Sequence, residues 1–254
     1  MIESATMTMR ASARRASVSG GRSDQLEISI AYIGGGSRGW AWTLMGDLAN
    51  ESALSGVVRL YDIEQAAAET NARIGNALSA RADVAGKWRY EVASDLASAL
   101  SGADIVVASI LPGTFAEMAS DVHAPEALGI YQSVGDTTGP GGLLRALRTI
   151  PMYQEIAEAV RVHCPDAWVM NYTNPMALCV RTLHETFPGI KAFGCCHEVF
   201  GTRKLLAAVA RERLGASDAA MDDVEVNVLG VNHFTWLDTA SYKTVDLFPE
   251  YRAF

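Results

Sequence analysis

Glu27 to Ile33, EISIAYI, runs directly into Gly34 to Trp40, GGGSRGW. The first seven residues are short, largely apolar and rich in β-branched side chains, which predicts a strand buried in a core. Behind the glycines, Trp42, Met45 and Leu48 recur at helical spacing, with Asn50 near the end of that helix. A strand, a glycine loop and a helix in this order form a turn that holds phosphate. The glycines let the backbone approach a pyrophosphate, and the helix N-terminus offers free N–H groups and a positive dipole end. Gly34, Gly36 and Gly39 fit G-x-G-x-x-G, and Ser37 and Arg38 lie inside the same loop. Gly34, Gly36, Ser37 and Arg38 are therefore candidate dinucleotide contacts.

The pattern continues outward. A second strand, Val57 to Tyr61, is followed by Asp62. An acidic side chain at the end of this strand binds adenosine ribose hydroxyls and favours NAD over NADP; the same carboxylate could instead cap the helix that starts near Glu64-Gln65. That helix is expected to run to about Arg81. A third strand is expected at Arg89–Ala93, a helix capped by Ser94-Asp95 after it, and a fourth buried strand at Asp104–Ile110. Strands and helices alternating at these lengths predict an α/β fold with a Rossmann-like, doubly wound parallel sheet. The expected organisation is a disordered tail over residues 1–25, an NAD-binding domain over 26–200, and over 201–254 the start of an α+β substrate and oligomerisation domain.

Bulk composition excludes several classes. Apolar residues make up 49% and the net charge is −8, with no Lys/Arg-rich run after the N-terminal segment, so a nucleic-acid surface is not expected. No apolar run is long enough to span a membrane. The Ser-, Ala- and Arg-rich residues 1–25 lack the apolar centre of a secretory signal; a disordered tail, or a true start at Met7 or Met9, is expected there. Of the four cysteines, Cys195 and Cys196 are adjacent, and a chain of this length needs no disulfide staples. All four are read as reduced, Cys164 and Cys179 as small buried hydrophobes, and the compartment as cytoplasmic.

The second half carries polar residues at the ends of further strands. A long Gly-, Asp- and Thr-rich loop ends in Gly139-Pro140-Gly141-Gly142 and leads to a helix expected to begin near Leu143, with Arg145 and Arg148 on it. The strand Ala167–Tyr172 ends in NYTNPMA, which presents Asn174. The strand Ile190–Gly194 ends in Cys195-Cys196-His197-Glu198, and VNVLGVNHFTWL presents His233 after another strand. Three consecutive strands are thus expected to bring Asn174, Cys196 with His197, and His233 to one edge of the sheet, beside the dinucleotide loop. Loops beyond the carboxyl ends of parallel strands are where ligands bind in such folds.

Taken together, GGGS, YDIE, GDTTGPGGLLRALRTIP, NYTNPMA, CHEV and GVNHF resemble glycoside hydrolase family 4, the NAD- and metal-dependent glycosidases that depart from the two-carboxylate rule. The resemblance runs from about Ile28 to the end of the chain. It implies that Cys196 and His233 bind the metal, that Asn174 is a catalytic-site residue that contacts substrate and often the metal, and that His197 acts as the acid or assists the leaving group. It implies NAD and Mn2+ as cofactors; a cysteine ligand alone would point to a softer ion. The CHEV form and GDTTGPGG imply a non-phosphorylated α-glycoside, most closely an α-galacturonide, with α-galactosidase or α-glucosidase activity as alternatives, and Arg145 or Arg148 could pair with a uronate. The implied route is redox-assisted elimination. Hydride leaves sugar carbon 3 for NAD+, the carbon-2 proton becomes acidic, the glycosidic oxygen leaves carbon 1, water adds, and the hydride returns. A small carbohydrate substrate and a homo-oligomer, dimer or tetramer, when full length are implied as partners. Family members continue well past this length, so the chain is expected to be C-terminally truncated, with the family's tyrosine base beyond its end. Two other readings stand beside this one: a catalytically incomplete NAD-binding fragment, and a malate/lactate-type dehydrogenase, whose catalytic His context Asn232-His233-Phe234 does not supply.

Overall fold

The computed structural model describes residues 26–132 and 136–254; the expected tail over 1–25 lies outside the described residues. Strands β1 (Leu26–Ile33), β2 (Leu54–Tyr61), β3 (Lys87–Val92), β4 (Ile105–Ala108), β5 (Trp168–Asn171) and β6 (Lys191–Gly194) form one parallel sheet in the order β3-β2-β1-β4-β5-β6. The order reverses at β1, which is the doubly wound topology and puts a crevice at the carboxyl ends of β1 and β4.

The opening strand is almost wholly apolar because both of its faces are buried. Ala31 and Ile33 pack into one core, with Val106 and Ala108 of β4, Val169 of β5, and Tyr153, Ile156 and Val160 of α5 (Gly139–His163). Ile30 and Tyr32 point the other way, toward Met45 and Leu48 of α1 (Trp40–Asn50) and Ala68 and Ala72 of α2 (Gln65–Ser79). The period-2 alternation of a strand thus divides one apolar run between two cores. Helix α3 (Leu96–Leu100) starts where the sequence places it: Asp95 accepts from the Ser98 N–H at 2.7 Å in a capping box.

Helix α4 (Phe115–His123) and a 3-10 turn over Ala124–Leu128 follow β4. The next helix, α5, begins at Gly139 and not near Leu143. The Gly-Pro-Gly-Gly run is its first turn, since proline fits the opening helical position, where its missing N–H costs nothing. A side chain at Gly142 would put Cβ 2.7 Å from the backbone of Thr137, so the glycine lets the loop lie directly on the helix. Helix α6 (Met176–Thr186) joins β5 to β6.

Beyond β6, α7 (Glu198–Arg213) packs Leu206, Ala207 and Ala210 against Val224, Ala240, Tyr242 and Leu247 in a separate, smaller core. That core covers one face of an antiparallel sheet, β7 (Val224–Val231), β8 (Phe234–Tyr242) and β9 (Val245–Asp246), and α8 (Phe248–Ala253) follows. The strand before His233 is therefore not a third consecutive strand of the parallel sheet. The β7–β8 connection is two residues long, which closes an antiparallel hairpin, whereas a parallel strand needs a crossover of a dozen residues or more.

Cys164, Cys179, Cys195 and Cys196 are all free thiols. Burial pushes Cys164 up to about 11 and Cys179 up to about 12, so both are neutral packing groups. Among the described residues no helix is long and apolar enough to cross a membrane.

Candidate active site

The glycine loop sits in the crevice above β1. Gly34 and Gly35 both donate to the Tyr61 carbonyl at 2.9 Å, and Ser37 N–H donates to the Gly34 carbonyl at 3.1 Å. Asp62 closes the other side: Oδ2 accepts from Gly36 N–H at 2.8 Å and Oδ1 from Glu64 N–H at 2.9 Å. It thus caps the start of the next helix and braces the loop at once. Each carboxylate oxygen keeps a further lone pair for a ribose hydroxyl. Helix α1 opens at Gly39 with no side-chain cap, so its first N–H groups stay free to meet an anion. Arg38 is exposed at the same end. These features fit a dinucleotide.

Sequence reasoning missed the residue that holds this loop. Asn71, 2% exposed, donates to the Gly35 carbonyl at 2.7 Å and the Ser37 carbonyl at 2.9 Å, and accepts from the Trp42 indole N–H at 2.8 Å. It lies on the buried stripe of α2 with Ala68, Ala72 and Gly75. A lone amide on that stripe was the available signal, since buried polar groups are there to be bonded. Asn71→Leu, near in volume, leaves two carbonyls and an indole N–H without their partner. At about 1–3 kcal/mol per orphaned group, with only the Gly35 carbonyl bond fully buried and the other two part-buried, a loss of about 3–5 kcal/mol is expected in denaturant unfolding, together with weaker NAD+ binding by calorimetry.

Strands β5 and β6 end in register, Asn171 opposite Gly194, and Cys195 N–H donates to the Asn171 carbonyl at 2.9 Å. Asn174 and the Cys196-His197 pair therefore leave neighbouring strands at one level, as the sequence implies. The Asn171 side chain is fixed by Tyr153 and by Thr173, and Thr173 Oγ1 in turn accepts from Ile110 N–H at 2.8 Å, which fastens this rim to β4. The Asn174 carbonyl accepts from Arg145 Nε at 3.2 Å. Trp40, at the mouth of the glycine loop, packs at a tilt against Tyr172, 5.3 Å away, and against the exposed ring of His197, 6.0 Å away between centroids. The loop and the end of β6 are thus adjacent.

His233 reaches this edge from the other sheet, on the tip of the β7–β8 hairpin. Its Nε2 lies 3.5 Å from Cys196 Sγ, while Nδ1 lies 3.3 Å from Asp136 Oδ1 and 3.5 Å from Thr137 Oγ1. Ordinary metal–sulfur and metal–nitrogen bonds at a tetrahedral angle separate two ligand atoms by about 3.6 Å. A carboxylate on the far nitrogen of a ligating histidine is the usual way such a ring is oriented. The donor set therefore fits one divalent ion. Asp136, 8% exposed, was missed as an individual residue, although its GDTT stretch was marked. Glu198 was also missed: with Cys196 and His233 it places three potential ligand atoms within 4.8 Å of one another. Its N–H donates to Cys196 Sγ at 3.4 Å at the start of α7.

The two arginines of α5 are not surface charges. Arg148 pairs with Asp121. Arg145 is 5% exposed and forms no ion pair among the described residues; desolvation lowers its pKa, against the weaker opposing pull of Asp136 and Asp121.

Comparison with known proteins agrees with this architecture. A sequence model described as family 4 glycosyl hydrolase matches residues 29–212. The alpha-galacturonidase of Thermoanaerobacterium saccharolyticum is 64% identical over 228 residues, which is 90% of this chain and 49% of that protein. The chain spans about half the length of the curated relatives it matches. The solved structure of lplD from Bacillus subtilis superposes with a TM-score of 0.82 at 56% identity, covering 90% of this chain and 52% of that one. The 6-phospho-beta glucosidase of Thermotoga maritima, solved with manganese, NAD+ and glucose-6-phosphate, shares the fold at a TM-score of 0.70 and 22% identity, over 88% of this chain and 51% of that one.

Proposed function

The chain belongs to the family 4 glycosyl hydrolases, and from that premise we propose that it forms the NAD- and metal-holding part of an enzyme that hydrolyses α-galacturonides by redox-assisted elimination. One observation carries the reading: the Cys196–His233 pair, 3.5 Å apart, stands at the same sheet edge as the uncapped glycine loop. The identity to alpha-galacturonidases supports the choice of sugar.

In this reading Gly34, Gly36, Ser37 and Arg38 take the pyrophosphate, and Asp62 the ribose hydroxyls. Cys196 and His233 hold a divalent cation such as Mn2+. When bound, NAD supplies a reversible hydride acceptor for sugar carbon 3, and the cation supplies a Lewis acid for the ketone oxygen formed there. Asp136 keeps the His233 ring turned with Nε2 toward Cys196. Asn174 orients substrate, its backbone fixed by Arg145. His197, exposed at the end of β6 and steadied by Trp40, delivers a proton to the departing glycosidic oxygen. Of the two arginines, Arg145 is the one whose charge is free for a uronate, because Arg148 is committed to Asp121. A cytoplasmic setting and a homo-oligomeric assembly belong to the same proposal.

The test is turnover of an α-D-galacturonide with NAD+, Mn2+ and a thiol reductant in heavy water. Deuterium at carbon 2 of the product is the expected result, and product without it overturns the elimination route. NAD+ binding in calorimetry without turnover assigns this chain the cofactor-holding role alone.

A further inference from the structure

We propose that Glu198 is a positioning residue that clamps the β7–β8 hairpin, so that the His233 ring faces Cys196, and that it does not itself ligate the metal. The inference rests on the reading of Cys196 and His233 as the metal pair. Distance alone would make Glu198 a third ligand, since its carboxylate lies within 4.8 Å of both donor atoms. Its bonds point elsewhere. Oε2 accepts from the His233 backbone N–H at 2.9 Å, and Oε1 accepts from the Thr235 hydroxyl at 2.7 Å. One carboxylate therefore spans the hairpin tip, and both of its oxygens face hairpin donors.

The tip needs such a clamp. His233 sits at φ +61°, a left-handed conformation that a residue with a Cβ adopts only when its surroundings impose it. It occupies the two-residue turn between Val231 and Phe234, so its N–H lies outside the strand ladder, and Glu198 is the partner it finds. Asp136 sets the rotation of the ring through Nδ1; Glu198 sets where the backbone carries that ring. Because Glu198 is the first residue of α7, two positions after Cys196, the clamp ties the cysteine and the histidine to one rigid helix end. A stretch with cysteine, histidine and glutamate in succession is thus a ligand, an acid and a strut.

Thr235 separates the two roles of Glu198, because its hydroxyl touches the carboxylate and it is neither of the residues, Cys196 and His233, read as the metal pair. Mn2+ affinity is read from the EPR signal of free ion, and His233 amide exchange by NMR on the metal-free chain. Thr235→Val and Glu198→Gln are each expected to weaken Mn2+ binding by about tenfold, the double variant to be no weaker than Glu198→Gln, and the His233 amide to exchange faster in both. Weakening by Glu198→Gln alone, with Thr235→Val at wild-type affinity and exchange, makes Glu198 a ligand and overturns the proposal. Additive losses, or no change in either variant, also overturn it. Should the wild-type chain bind no Mn2+, amide exchange alone decides: faster exchange in both variants keeps the clamp and moves the failure to the metal reading, and unchanged exchange removes the clamp.

Discussion

Gly34→Ala is expected to destabilise the protein by about 2–5 kcal/mol and to abolish NAD+ binding. The glycine stands at φ +90°, and a Cβ there would lie 2.0 Å from the Ser109 carbonyl oxygen and 2.7 Å from its carbon. Those atoms are backbone at the end of β4, where Ser109 N–H is bonded to the Ile33 carbonyl at 2.9 Å, so they have no room to retreat. A left-handed conformation costs an L-residue about 1–2 kcal/mol, and overpacking a fixed wall about 1–3 kcal/mol more. The sum is a large fraction of a typical domain's stability. Relief is available only by moving the loop, which removes the proposed seat for the pyrophosphate. Gly39→Ala is the matched control. Nothing lies within 4 Å of a Cβ at Gly39 and its φ is ordinary, so a change under about 0.5 kcal/mol is expected. Denaturant midpoints and NAD+ calorimetry on the two variants check this; equal behaviour would refute the backbone argument.

Cys196→Ala is expected to lower Mn2+ affinity by about 100-fold or more, since loss of an outer partner alone typically costs 10–100-fold and Cys196 supplies one of the two ligand atoms of the proposed site. The change leaves His233 Nε2 facing a methyl group, and leaves Glu198 N–H without its sulfur acceptor. With Co2+ in place of Mn2+, the sulfur-to-metal charge-transfer absorption should vanish. Cys195→Ala is expected to keep both affinity and absorption, because that side chain lies beside Tyr172 and outside the donor cluster. Retained affinity in Cys196→Ala would remove the cysteine from the metal site.

How legible the molecule was depends on how local each feature is. The first strand, the glycine loop, Asp62 and the Asp95 cap were readable because periodicity and capping act within a few residues. The start of α5 was misplaced by four residues, because glycines after a loop read as more loop until the neighbouring Thr137 backbone shows why they belong to a helix. Asn71 was passed over because its purpose lies at Gly35 and Ser37, in a loop far earlier in the chain. The strand before His233 was recognised as a strand and assigned to the wrong sheet, since alternation states what a segment is and not what it pairs with.

The sequence by itself determined a parallel sheet buried on both faces, a glycine loop at its switch point, and the residue types of a candidate metal pair. Those are consequences of side-chain spacing along a continuous chain. Only the tertiary structure decided that Cys196 and His233 meet between two sheets. Cys196 and His233 are 37 residues apart in sequence, and Asp136 and His233 are 97 apart. Their meeting depends on where α7 packs its apolar side and on how the Glu198 carboxylate meets a hairpin turn, and no local pattern encodes either, because burial and hydrogen bonding between distant segments are settled only when the whole chain has closed.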